Sequence, residues 1–232
     1  MTTFEFAEPQ RPSSLLSSAD VTRVADVLRG GGLAVLPTET GYLLASAAGS
    51  VPAVLRAFAV KQRDLANPMH VACSSIEMAS QVGQLTATAV KLLGRFTPGP
   101  LSVIVEKAPG LDNPYVTLKD TIGLRIPDHA GTVQVIAALG SPVTATSLNR
   151  SGQESEPVDR ALLESLDWQD QEVVPVIVDH ASIRFRQPST LVRVTGPEAE
   201  ILRVGPVTAG EIGSALEGMA HRHTGIPVPS PS

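Results

Sequence analysis

Apolar residues recur along this chain with two different periods. In "SADVTRVADVLRGGG", Val21, Val24, Ala25 and Leu28 fall at i, i+3, i+4 and i+7, one face of a helix, and the glycines from Gly30 stop it. "VPAVLRAFAVKQR" reads as a helix with Pro52 in its first turn. "SSIEMASQVGQ" and "TATAVKLLGRF" read as two helices broken at Gly83, "GTVQVIAALG" as one closed by Gly140, and "PVDRALLESL" as another. "TAGEIGSALEG" sets Thr208 three residues before Glu211, a capping box that starts a last helix. Between these lie short apolar runs with the length of strands: "LAVLP", "MHVAC", "LSVIVE", "TIGLRIP", "PVTATS", "VVPVIVD", "STLVRVT" and "EILRVG". Helices and strands mix without strict alternation, and no segment repeats. The pattern predicts one α/β domain around a mixed, twisted sheet. Residues 1–18 are polar and serine-rich and are expected to form a flexible arm. The domain is expected over 19–219, and the proline-rich ending over 220–232 to be a disordered tail.

Composition narrows the function classes. The 232 residues suffice for a sizeable core. Only 3% are aromatic, so the core is built from Val, Leu, Ile and Ala, and few rings are available to stack on bases. The net charge of −5 argues against broad, charge-driven nucleic-acid binding. The single cysteine, Cys73, excludes an internal disulfide and a cysteine-only metal site. The opening "MTTFEFAEPQRPSS" lacks a basic start followed by an apolar stretch, and no apolar run reaches spanning length. A cytoplasmic protein without a membrane segment is the expectation. There is no Gly-rich loop ending in Lys-Ser or Lys-Thr and no Gly-x-Ser-x-Gly elbow. His70, His129, His180, His221 and His223 show no helical metal-ligand spacing, so no metal site is predicted.

Five polar clusters interrupt the apolar pattern. They are "PTETGY"; "KQRDLANP" with Lys61 and Arg63; "TIGLRIP" with Arg125 inside an apolar strand; "TATSLNRSG" with Thr146, Ser147 and Asn149; and the pair "QPSTLV" and "LRVG" with Ser189, Thr190 and Arg203. Each has a plain structural reading. Lys61 and Arg63 suit a helix C-terminal turn. Arg125 faces opposite Leu124 and Ile126, either outward on a half-exposed sheet or inward and paired. Together the clusters set several cations and hydroxyls at strand ends, a surface suited to a ligand bearing phosphates and a carboxylate.

The order of these clusters resembles the YrdC-like threonylcarbamoyl-AMP synthases. "PTETGY", "KQR", "NP", "PGP", "RIP", "TSLNRSG", "PST" and "LRVG" follow the family's order from about residue 20 to 212. The resemblance implies an open, twisted, mixed sheet with flanking helices and a deep ligand cleft. It implies synthesis of threonylcarbamoyl-AMP and pyrophosphate from L-threonine, bicarbonate and ATP, with Mg2+ on the triphosphate. The product would pass to a separate threonylcarbamoyl-transferase complex acting on transfer RNA, with tRNA binding by this chain weak or indirect. It implies that Thr38, His70, Arg125 and Thr146 meet threonine. It implies that Lys61, Arg63, Thr121, Ser147, Asn149, Ser155, Ser189 and Arg203 meet ATP, with Lys61, Arg63, Ser147 and Asn149 catalytic.

The chain also departs from that pattern. Gly41 precedes Tyr42 and Leu43 follows it, where the family places Val before its tyrosine and Gly after it. Ala72 stands where the family tends to have a histidine, while His70 lies two residues earlier, on the same strand face. His70 would then take part of that role, or be a half-buried strand residue. Gln62 and Asp64 replace Gly and Pro around the cation pair. Two further readings follow: a diverged paralogue using another carbamoyl-adenylate, and a non-enzymatic nucleotide- or RNA-binding protein.

Overall fold

The computed structural model describes residues 2–10, 14–148, 160–168, 171, 173–196, 198–217 and 221–223. The chain begins with β1 (Thr3–Ala7), which pairs in parallel with a strand late in the sequence. The sequence reading placed a flexible arm here. Phe4 explains the difference: its ring packs edge-on against Trp168 with centroids 5.4 Å apart. Helix α1 (Ser18–Arg29) buries Val24, Ala25 and Leu28, the predicted face, and Ser17 caps it by accepting from the Asp20 N–H. The hairpin β2 (Ala34–Thr38) and β3 (Gly41–Ala45) follows. α2 (Val51–Lys61) is capped by Ser50 and ends on Gln62 in the left-handed region at φ 50°. β4 (His70–Ala72) leads to α3 (Ile76–Val82), β5 (Gly83–Gln84) and α4 (Ala87–Phe96).

β6 (Leu101–Lys107), β7 (Thr117–Leu118) and β8 (Thr121–Arg125) come next, then α5 (Ala130–Leu139) and β9 (Val143–Ser147). α6 (Arg160–Ser165), β10 (Val173–Ile177), β11 (Thr190–Arg193) and β12 (Ala199–Arg203) precede α7 (Ala209–Ala215). The predicted capping box is present on α7: Thr208 and Glu211 bond each other's backbone N–H groups. β13 (His221–His223) lies within the stretch expected to be a disordered tail, paired in parallel with β12. The remainder of that stretch, residue 220 and residues 224–232, lies outside the described residues.

The strands form one mixed, 13-stranded sheet in the order β1-β10-β2-β3-β9-β4-β8-β6-β11-β12-β13, with β5 on β6 and β7 on β8. This is the predicted mixed α/β architecture. The sheet is strongly curled. β2 and β8 stand four strand spacings apart, about 19 Å in a flat sheet, yet Glu39, just beyond β2, bonds Arg125 at the end of β8 at 2.6 Å. Curling of this degree makes one face concave. The opposite face of β6 and β8 is apolar, with Val103, Val105, Ile122 and Leu124 buried.

Candidate active site

Strand register decides which predicted residues share the concave face. His70 pairs with Ala145, and Ala72 with Arg125. Leu43 pairs with Ser147 and with Leu36, two residues before Thr38. Side chains alternate along each strand, and registered partners point the same way. Thr38, Leu43, Ser147, His70, Thr121 and Arg125 therefore lie on one face. Thr146 lies on the other, paired with Leu44 and buried, and register does not bring it to Arg125. Thr121 shares the face but stands at the far end of β8, where its hydroxyl donates to the Leu118 carbonyl at 2.9 Å. Asn149 and Ser155 lie outside the described residues.

The hydroxyls of the hairpin turn bond the turn itself and Arg125. Thr38 accepts from the Thr40 N–H and donates to the Gly41 carbonyl at 2.8 Å, which closes the turn around Glu39 and Thr40. Arg125 is not an outward-facing arginine. It is buried, and its Nη2 donates to Glu39 Oε1 at 2.6 Å and to the Thr40 hydroxyl at 3.2 Å. Its Nε is buried with no hydrogen-bond partner among the described residues. A buried guanidinium held at one terminal nitrogen, with its Nε unmatched, is suited to meet an anion.

Three more cations come to the same region. The left-handed Gln62 ends α2 and turns the chain so that Arg63 donates to the carbonyls of Asn67 at 2.8 Å and Pro68 at 3.2 Å. Lys61 is buried, and its Nζ donates to the Ser147 carbonyl. Desolvation, with Arg63 nearby, pushes the Lys61 ammonium down to about 8. Arg203 grips the Ser189 carbonyl through Nε at 3.1 Å and Nη2 at 2.9 Å, while the Ser189 hydroxyl meets Ser102 at 2.8 Å. Burial, then the fields of Arg203, Arg63 and Arg125, push His70 down to about 4. His70 is thus a neutral imidazole among guanidinium groups. Its ring lies on Gly123, where any added Cβ would meet the imidazole carbon Cδ2 at 2.4 Å.

Sequence reasoning missed Glu39 and the residues behind it. Glu39 Oε2 accepts from the Asp128 N–H at 2.8 Å, and its carbonyl accepts from Arg184 at 3.0 Å and Phe185 at 2.9 Å. Tyr42 faces away from the site, its hydroxyl 3.0 Å from His180 Nδ1 and accepting from the Asp179 N–H. The available signal was a pair of opposite charges, Glu39 and Arg125, each beside an apolar strand. Among the described residues no group of three His, Cys, Asp or Glu side chains is placed to hold a metal. A separate cavity of about 480 Å³ lies between α4 and α7, lined by Arg95, Phe96, Thr208 and Glu211, away from this face.

A curled mixed sheet that gathers lysine, arginine and hydroxyl groups on its concave face defines an α/β protein with a cationic, hydroxyl-rich face, a chemistry suited to anions. The model of the Sua5, YciO and YrdC family, described as "Telomere recombination", matches residues 26–205, and the chain belongs to that family. The threonylcarbamoyl-AMP synthase of Bacillus subtilis is 29% identical over 208 residues, covering 89% of this chain and 59% of its own. An uncharacterized protein of Haemophilus influenzae is 29% identical over 210 residues, covering 88% of this chain and 96% of its own. The crystal structure of Pyrococcus abyssi Sua5 complexed with L-threonine superposes with a TM-score of 0.81 at 25% identity, over 95% of this chain and 63% of that one.

Proposed function

We propose that this protein is an L-threonylcarbamoyladenylate synthase, an ATP-dependent nucleotidyltransferase that forms threonylcarbamoyl-AMP and pyrophosphate from L-threonine, bicarbonate and ATP. The observation that carries the reading is the buried Arg125, held at Nη2 and unmatched at Nε, in a region that also gathers Lys61, Arg63 and Arg203. The similar Sua5 structure that holds L-threonine supports the amino acid.

In this reading the threonine carboxylate pairs with Arg125, while Lys61, Arg63, Ser147, Ser189 and Arg203 face the nucleotide. The threonine amine attacks the carbon of a bicarbonate-derived species and forms the N–C bond of a carbamate, with loss of water from bicarbonate. A carbamate oxygen then attacks the α-phosphate, and pyrophosphate leaves. Both steps bring anions together, and fixed cations and donors lower that cost. Mg2+ would arrive with the triphosphate. Its ligands would be mainly the phosphate oxygens, and it would offset their charge. The product would pass to a cytoplasmic transferase complex acting on tRNA, and the net charge of −5 fits weak or indirect tRNA contact.

Pyrophosphate release with ATP, magnesium and bicarbonate should depend on L-threonine and not on L-serine, with threonylcarbamoyl-AMP seen by mass spectrometry. Arg125→Lys keeps the charge and loses the planar fork, so threonine-dependent turnover should fall by at least about tenfold. Unchanged turnover would remove Arg125 from the site. One observation favours a second reading. Leu43 projects onto the concave face beside Ser147, where a bulkier side chain narrows the space for the acceptor. A paralogue with another acceptor is indicated if ATP binds and threonine gives no turnover.

A further inference from the structure

We propose that Glu39 is a positioning residue that orients Arg125 for a ligand carboxylate. The proposal rests on the reading of Arg125 given above and assigns a role to a residue that no ligand can reach, because Glu39 is fully buried. Its two carboxylate oxygens have different tasks. Oε1 takes the Arg125 Nη2 at 2.6 Å, and Oε2 takes the Asp128 N–H at 2.8 Å. Its main chain is fixed as well, because the carbonyl accepts the N–H groups of Arg184 and Phe185. The Arg184 guanidinium pairs in turn with the Asp128 carboxylate.

The carboxylate is thus a bracket anchored at three places: the β2–β3 turn, the chain beyond β8, and the 184–185 backbone. A guanidinium held at one nitrogen by so rigid a partner has its plane set before any ligand arrives. Its Nε is a buried donor that stays unmatched among the described residues. Glu39 therefore determines where that donor points. Thr40 adds a second contact to the same Nη2, so the turn holds the guanidinium from two adjacent residues.

The test separates this role from a merely structural one. Glu39→Asp keeps the charge and withdraws the carboxylate by one methylene, so it cannot reach both Arg125 and the Asp128 N–H. Binding of L-threonine and of L-threoninamide, which lacks the carboxylate, would be measured by calorimetry for wild type and variant. An ATP analogue with a methylene between its α- and β-phosphates would be present throughout. Wild type should prefer threonine. Glu39→Asp should weaken threonine by about tenfold and leave threoninamide and the analogue unchanged. Equal weakening of both amino-acid ligands, or of neither, would overturn the proposal. Absence of any wild-type preference for the carboxylate would overturn the reading of Arg125, and the proposal with it. If Glu39→Asp does not fold, Glu39→Gln carries the same comparison: its amide must present a donor to one of two donors, so the same carboxylate-selective loss is expected.

Discussion

His70 shows how one residue's environment sets its chemistry. The imidazole rests on Gly123 and is pushed down to about 4, chiefly by burial and then by Arg203, Arg63 and Arg125. Its folded pKa lies below the ordinary 6.5, so the unfolded chain takes up a proton that the folded chain refuses. Stability is full above pH 6.5 and falls as the pH drops from 6.5 toward about 4. His129 adds to the same trend. It is buried, shifted down by desolvation, and accepts the Thr132 N–H through Nδ1. Urea midpoints measured across that window should decline, and His70→Asn should flatten the decline in part. An unaltered slope in the variant would show that His70 is not the group responsible. The position of His70 on the site face was legible in the sequence, because residues two apart on a strand share a face. Its seat on Gly123 was not, since no local pattern links residues 53 positions apart. Glu39 was hidden for the same reason: the residues that hold it come from the chain beyond β8 and from the 184–185 segment.

At the scale of elements, the β11–β12 pair is tied by Thr190. Its hydroxyl donates to the Val207 carbonyl at 2.6 Å and accepts the N–H groups of Gly205 at 2.9 Å and Val207 at 3.1 Å. Gly205 comes so close to the strand that a Cβ there would meet the Pro188 carbonyl oxygen at 2.2 Å. Thr190→Val would leave these buried groups unpaired and should cost about 3 kcal/mol. It should also weaken nucleotide binding, because Arg203 and Ser189 flank the tie. A melting curve together with nucleotide titration reads both effects, and loss of neither would show the tie to be incidental. Elements such as α1, α4 and α7 were legible because an apolar face and a capping side chain coincide in each. β1, β5, β7 and β13 were not. They are short, and they become strands only because a distant partner supplies the ladder, as Val173–Ile177 does for β1. β3 was not legible as a strand either, because its start lies within the polar cluster "PTETGY", whose turn joins it to β2 as a hairpin.

At the scale of the molecule, the curl of the sheet makes the site, and chain connectivity constrains the curl. β10 and β11 are consecutive in sequence yet seven strand spacings apart in the sheet, about 34 Å if it were flat. The connector between them runs from Val178 to Ser189, twelve residues that reach about 40 Å at full extension. Residues His180–Ser182 are coiled into a 3₁₀ turn, which shortens that reach. The segment also bonds Glu39 and Asp128 on its way across. Deleting Arg186 and Gln187 removes about 7 Å of reach. It should lower the melting temperature and the affinity for nucleotide together, as seen by calorimetry. The connector is a tie rod across an arch, and its length sets how far the two ends of the sheet can spread. Natural variation in this stretch would accordingly tune the gape of the cleft without altering any residue that lines it.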